Sequence, residues 1–180
     1  VLIALLPATI ASVIIFGLQA FILVVVCTAS AVLAEWGFQA LCKQKITISD
    51  LSAAVTGLLL ALNLPASVTW WQAIIGSVIA VVVVKGLFGG IGKNFANPAI
   101  TARIILLLAF SASVGAAVQP VIVDATSTAT PLTILKLDYG ILPSLFEMMI
   151  GLRGGAIGET CSLALILGGV YLMIRKVITW

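Results

Sequence analysis

Residues 18–42 read LQAFILVVVCTASAVLAEWGFQALC, an apolar run of 25 residues in which Glu35 is the single charge. A helix that crosses a bilayer needs about 20 mainly apolar residues, so this run is long enough to span. Five further apolar stretches lie at about 1–17, 50–63, 70–85, 97–118 and 159–175. The sequence therefore predicts an all-α, polytopic membrane bundle with about six spans. The short 50–63 stretch is compatible with a half-helix buried among its neighbours and with a full span that tilts little.

The composition supports a membrane protein and excludes several other classes. Hydrophobic residues make up 62% of the chain and charged residues 8%, against about 25% charged residues in soluble domains. The net charge of +3 is scattered, which excludes a nucleic-acid-binding stripe. Without histidine or a C-x-x-C pair, the sequence predicts no metal site and no catalytic residue. We interpret residues 1–180 as a single transmembrane domain, and its apolar start and basic end as those of a fragment.

The distribution of basic residues predicts the orientation, because short cytoplasmic loops are enriched in Lys and Arg. Six basic residues fall on the same side of the membrane as residue 1: Lys43, Lys45, Lys85, Lys93, Arg175 and Lys176. The other side receives only Lys136 and Arg153, within one long connection at about 119–158. This asymmetry predicts that the connection faces outward from the cytoplasm.

Two charged residues are predicted to lie inside the bilayer. Arg103 follows the Asn97-Pro98 helix start by six residues, or about 9 Å, and Glu35 lies about 10 Å from the cytoplasmic end of its span. Because of their similar depth, we expect them either to pair or to flank a shared polar cavity on an ion path. The alternative is that Arg103 snorkels to the headgroups while Glu35 is neutral.

The segment DATSTATPL, residues 124–132, concentrates hydroxyl groups in the outward-facing connection. It holds four hydroxyls within seven residues and begins with the carboxylate of Asp124. Small residues leave its backbone approachable, as a covalent attachment site requires. An ordinary Ser/Thr-rich turn before a helix capped near Thr130 explains the same residues. From the residues alone, both interpretations stay open.

Three segments in this order resemble the RnfD/NqrB family of membrane subunits: LFGGIGKNFANPAITAR (87–103), DATSTATPL, and IGETCSLALILGGVYLMIRKVITW (157–180). The opening VLIALLPATIASVIIFG is similar to the first helix of the RnfD branch, which we favour. The resemblance covers nearly the whole chain. It implies a fold of two inverted five-helix units, of which this chain would hold the first and the opening helix of the second.

The resemblance also implies a covalent cofactor. Family members carry FMN joined through its phosphate to the last threonine of an Asp-x-x-Ser/Thr-Gly-Ala-Thr motif. In this sequence the motif falls on Asp124, Ser127, Ala129 and Thr130, with Thr130 as the attachment residue, while Thr128 stands where glycine is usual. A second, non-covalent flavin such as riboflavin is also implied. Gly154, Gly155 and Glu159 end the same connection and are therefore candidates for residues near the flavin ring, although glycine punctuation of the loop explains the same pattern.

The function implied by the resemblance is that of a flavoprotein subunit of an Rnf-type electron transport complex in the inner (cytoplasmic) membrane. The protein would relay electrons through FMN, coupled to Na⁺ or H⁺ translocation, and would not be active alone. Its expected partners are the other Rnf subunits, an extracytoplasmic flavin transferase and membrane lipid. The alternatives are the NqrB subunit of the Na⁺-translocating NADH:quinone reductase and a flavin-free solute or ion channel.

Overall fold

The computed structural model describes residues 1–43, 46–88, 90, 94, 96–115, 134–136, 144–151, 154–159 and 161–178. Within these ranges the regular structure is helical, with no β-strand. The all-α prediction is therefore confirmed for the described part of the chain. The motif residues Asp124, Ser127, Ala129 and Thr130 lie outside it.

The helices follow the predicted apolar stretches closely. They are α1 (Leu2–Phe16), α2 (Leu18–Leu41), α3 (Ser52–Asn63), α4 (Trp70–Val78), α5 (Pro98–Ala109), α6 (Ser111–Val114), α7 (Leu145–Ile150) and α8 (Ser162–Ile174). A 3₁₀ turn (Ile48–Asp50) precedes α3, and α4 continues without a break into a π-helical segment (Ile79–Gly86).

Local sequence explains where several helices begin and end. Gly17, with φ of 69°, separates α1 from α2 in a backbone conformation that favours glycine. The Asn97 side chain accepts hydrogen bonds from the N–H groups of Ala99 and Ile100, and Pro98 occupies the first helical position. Within the predicted apolar stretch at about 97–118, α5 ends at Ala109, and Phe110, with φ of −133° and ψ of 52°, separates it from α6.

Helix α2 lies at the centre of the described bundle and packs against α1, α3, α4 and the π-helical segment. Its closest approach is to α3, where a Cβ on Gly57 would lie 2.5 Å from the Cys27 carbonyl oxygen and 2.8 Å from the Ala31 Cβ. Small residues allow such backbone contact between membrane helices. Large apolar side chains such as Ile3 and Leu108 are exposed on the outer faces, as expected of surfaces that meet lipid.

Among the described residues, α2 is the one helix whose length and hydropathy suffice to cross a bilayer. The other apolar helices of ten residues or more are shorter: α1, α3, α4 with its π-helical extension, α5 and α8. The number of spans, the inverted repeat and the single-domain organisation stay predictions.

The segment 156–158 returns the chain to the bundle and closes the end of α3. The N–H of Ile157 donates to the Leu64 carbonyl at 3.0 Å, and that of Gly158 to the Leu62 carbonyl at 2.7 Å. The buried Ser12 hydroxyl donates to the Ile157 carbonyl at 2.9 Å. These bonds satisfy carbonyls that a helix end leaves without intrahelical partners, and they fix the segment against α1 and α3.

Candidate functional site

A buried ion pair joins α2 to the π-helical segment. The Lys85 ammonium contacts the Glu35 Oε1 atom at 2.5 Å, and each side chain is about 6% exposed. Charged side chains inside a membrane bundle are costly and persist where they are paired or functional. Lys85 is the partner that the sequence did not identify for Glu35.

The ion pair is one end of a chain of hydrogen bonds that reaches the protein surface. The Lys85 ammonium also donates to the Ser52 hydroxyl at 2.5 Å, and this hydroxyl donates to the Asp50 carboxylate at 2.6 Å. Asp50 is exposed. We call Glu35, Lys85, Ser52 and Asp50 the buried polar chain, since it connects an interior carboxylate to one that faces solvent.

The two carboxylates of the buried polar chain differ in their environments. Burial acts to raise the pKa of Asp50, but hydrogen bonds from the Ser52 side chain and backbone, together with the Lys85 charge, lower it below its ordinary value. The Glu35 Oε2 atom, in contrast, is buried and has no hydrogen-bond partner in the described part of the structure. Buried oxygen atoms without a partner are uncommon in folded proteins.

Local backbone geometry accompanies the position of Lys85. In the π-helical segment the backbone hydrogen bonds join residues five positions apart; for example, the N–H of Leu87 donates to the Val82 carbonyl at 3.0 Å. Such segments are rare and frequently mark functional sites. Lys85 was counted among the basic residues of the cytoplasmic side, and the structure shows that its side chain is buried near the end of a helix. A run of four valines before a lysine is typical of a helix end whose lysine side chain extends to the headgroups. The sequence therefore did not predict that the Lys85 side chain is buried.

Arg103 lines a cavity of about 400 Å³. Helices α1, α3, α5 and α8 and the returning segment form its walls, with Leu5, Leu59, Leu62, Asn63, Arg103, Ala156, Gly158, Glu159 and Leu165 as lining residues. The cavity combines leucine walls with one guanidinium, one amide and one carboxylate. Its volume falls within the range of ligand cavities.

Glu35 and Arg103, which were expected to pair or to flank a shared polar cavity, form no ion pair with each other in the described part of the structure. Glu35 pairs with Lys85, whereas Arg103 lines the cavity, of which Glu35 is not a lining residue. Glu159, expected near a flavin, lies on the same cavity as Arg103. Gly154 and Gly155 are described, but they are not lining residues.

Comparison of the sequence with known proteins identifies the family. A family model for the NQR2, RnfD and RnfE proteins matches residues 1–180. The chain belongs to the NQR2, RnfD, RnfE family. This confirms the resemblance drawn from the three sequence segments.

Curated relatives favour the RnfD branch of the family. This family member is 45% identical to the D subunit of the Na(+)-translocating ferredoxin:NAD(+) oxidoreductase complex of Acetobacterium woodii, over the whole chain and 58% of that relative. It is 37% identical to the D subunit of the proton-translocating ferredoxin:NAD(+) oxidoreductase complex of Clostridium ljungdahlii, again over 58% of the relative. With the D subunit of an ion-translocating oxidoreductase complex of Halorhodospira halophila it shares 35% identity, over 60% of that protein. The chain thus spans about three fifths of the length of these relatives.

Proposed function

We propose that the protein is the membrane flavoprotein subunit of an Rnf-type electron transport complex. It relays electrons through FMN esterified to Thr130, while the complex moves Na⁺ or H⁺ across the cytoplasmic membrane. The observation that carries this proposal is the segment DATSTATPL in a chain that belongs to the family. The names of the curated relatives, which include a Na⁺-translocating and a proton-translocating complex, support both the electron-transfer class and the choice of ions.

The attachment residues form a short segment with distinct roles. Thr130 supplies the hydroxyl oxygen that becomes the phosphoester oxygen, and it anchors the cofactor without taking part in turnover. Asp124, Ser127 and Ala129 complete the motif that an extracytoplasmic flavin transferase recognises. The orientation predicted from basic residues supports this arrangement, since it places the 119–158 connection outside the cytoplasm, where such a transferase acts.

The Arg103 cavity is suited to hold the flavin ring. Its volume of about 400 Å³ lies within the range of cofactor sites, and its leucine side chains suit a flat aromatic ring. FMN, when bound, supplies the electron-accepting and electron-donating chemistry. Arg103 would hold the ring by its guanidinium, on a cavity that it shares with the Glu159 carboxylate. Asn63, whose Nδ2 atom donates to the Leu59 carbonyl at 2.8 Å, would present its amide oxygen to a ring N–H.

The experiment that tests the attachment is flavin fluorescence of the denatured protein on a gel, after expression with its transferase. Thr130→Ala should abolish the fluorescence. Ser127→Thr, which the motif allows, and Thr133→Ala, which lies outside the motif, should both retain it because neither removes the hydroxyl that carries the phosphoester. The intact mass of the wild-type chain should exceed the sequence mass by one esterified FMN. A non-fluorescent wild-type protein of unmodified mass would favour the flavin-free channel instead.

A further inference from the structure

The loop between α3 and α4, residues 64–69, is largely buried. Leu64 and Val68 have no exposed surface, although connecting segments usually lie on the outside because their polar backbone groups need partners. Here the partners come from distant parts of the chain. The Gln19 side chain donates to the Val68 carbonyl at 3.3 Å, and the N–H of Ile157 donates to the Leu64 carbonyl at 3.0 Å. The α3–α4 loop is therefore a point at which several segments of the chain are joined.

The start of the 119–158 connection is held against this loop. The Ser67 hydroxyl donates to the Ser113 carbonyl at 2.6 Å. The ring of Phe110 meets that of Trp71, in the first turn of α4, edge-on with centroids 5.1 Å apart. Aromatic pairs of this geometry attract each other beyond the effect of their burial. The chain is thus fixed at two points shortly before the connection begins.

The end of the connection is held against the same loop. The N–H groups of Ile157 and Gly158 donate to the Leu64 and Leu62 carbonyls. Gly158 fits there because it lacks a side chain, since a Cβ would lie 2.6 Å from the Leu62 Cβ and 3.0 Å from the Leu62 carbonyl oxygen. Leu64 and Ser67 are three residues apart, so their Cα atoms are at most about 11 Å apart. The two ends of the connection therefore meet on one short loop.

We propose that the α3–α4 loop positions the 119–158 connection by holding both of its ends, with Ser67 and Gly158 as the positioning residues. This inference rests on the function proposed above where it concerns the flavin, because Thr130 lies between the two held ends. Gly158 also lines the Arg103 cavity, so the contact that holds the end of the connection is part of the wall of the proposed ring site. The loop thereby sets the position of the attached flavin relative to that cavity. A displacement of about 1 Å can cost about a hundredfold in rate.

The first measurement needs no flavin. Hydrogen–deuterium exchange of the full-length protein, followed by mass spectrometry of its peptides, reports on the backbone N–H groups of Ile157 and Gly158. Ser67→Ala removes a contact at the start of the connection only. Because both ends share the loop, exchange at Ile157 and Gly158 should rise by about tenfold, and Ser67→Thr, which keeps the hydroxyl, should show the wild-type exchange. A rise confined to the peptide that contains Ser113 would overturn the proposal.

The second measurement follows the flavin on the purified full-length protein. Ser67→Ala and Gly158→Ala should carry as much covalent flavin as the wild type on a denaturing gel, because neither alters the attachment segment. In the native protein, the anisotropy of the flavin fluorescence should fall toward the value of the denatured protein. Gly37→Ala is the control for an added methyl group, since a Cβ there has nothing within 4 Å, and it should keep the wild-type anisotropy. Wild-type anisotropy in both Ser67→Ala and Gly158→Ala would contradict the positioning role.

The two measurements distinguish this proposal from the function on which it rests. A wild-type protein without covalent flavin would refute the attachment, and the exchange at Ile157 and Gly158 would still decide whether the loop couples the two ends. Attached flavin with unchanged exchange and anisotropy in the variants would overturn the positioning role alone. If Gly158→Ala does not fold, Ser67→Ala and Ser67→Thr decide the outcome, because they differ from the wild type only around one hydroxyl group.

Discussion

The contact between α2 and α3 at Gly57 makes a quantitative prediction about stability. A Cβ placed on Gly57 would meet the Cys27 carbonyl oxygen at 2.5 Å, while ordinary contact begins at 3.4 Å. The neighbouring atoms are the Ala31 Cβ at 2.8 Å and the Thr28 Cα at 2.9 Å, so no flexible side chain can move aside. Gly57→Ala should therefore separate the two helices or distort them. Overpacking of this kind costs about 1–3 kcal/mol.

Gly37, on the partner helix α2, provides a control that adds the same methyl group. A Cβ at this position would have nothing within 4 Å, so Gly37→Ala adds a methyl group without a clash. Alanine is favoured over glycine inside a helix by about 1 kcal/mol. Gly57 also lies inside a helix, so this gain is common to both variants, and the difference in their unfolding free energy should be the overpacking cost of about 1–3 kcal/mol.

The assay is reversible unfolding of the full-length protein in mixed micelles, with helix content followed by circular dichroism as the denaturing detergent increases. Gly57→Ala should unfold at a lower mole fraction of denaturing detergent than the wild type, and Gly37→Ala at an equal or higher one. Equal stability of the two variants would show that the close contact between α2 and α3 does not limit packing, and the steric reasoning would be refuted.

Two further predictions concern single polar groups. Ser12→Ala should lower the unfolding free energy by about 1–3 kcal/mol because it leaves the buried Ile157 carbonyl without its donor. Ser30→Ala should cost less, since the Ser30 hydroxyl bonds only carbonyls of its own helix. Equal losses of stability in thermal melts of the two variants would contradict this. The pKa of Asp50 is lowered in the folded state, so its stabilising contribution is present above its unfolded pKa and is lost as pH falls through the folded value. In Asp50→Asn, the part of the fall in thermal midpoint at low pH that is due to Asp50 should be absent. A midpoint that depends on pH as in the wild type would show that Asp50 does not contribute to stability.

Hydrophobic patterning was sufficient to predict the helices, because apolar length and helix-capping residues act locally. The Asn97-Pro98 pair marked the start of α5, and the predicted 50–63 stretch corresponds to α3, Ser52–Asn63. The break at Phe110 was not predicted, because no glycine or proline marks it. The sequence likewise carried no sign of the π-helical segment, whose residues are those of an ordinary apolar helix.

The candidate site was only partly predictable, since it depends on which helices become neighbours. Glu35 and Arg103 were singled out correctly as charges inside apolar stretches, but the pairing of Glu35 with Lys85 joins positions 50 residues apart. A charge inside an apolar run indicates that a partner is needed without saying where the partner lies. The attachment of FMN at Thr130 stays a prediction that rests on the motif and the family.

The π-helical segment has a consequence for the rotational phase of the helix that contains it. Each of its turns takes about one residue more than the 3.6 of an α-helix, so side chains beyond it point in directions that a regular helix would not give them. Lys85 is the residue whose direction depends most on this offset, because it lies near the segment's end, Ile79–Gly86. Deleting one residue from the run Val81–Val84 would rotate the Lys85 ammonium relative to α2. The ion pair with Glu35 is therefore encoded as much by the number of valines as by the two charged residues.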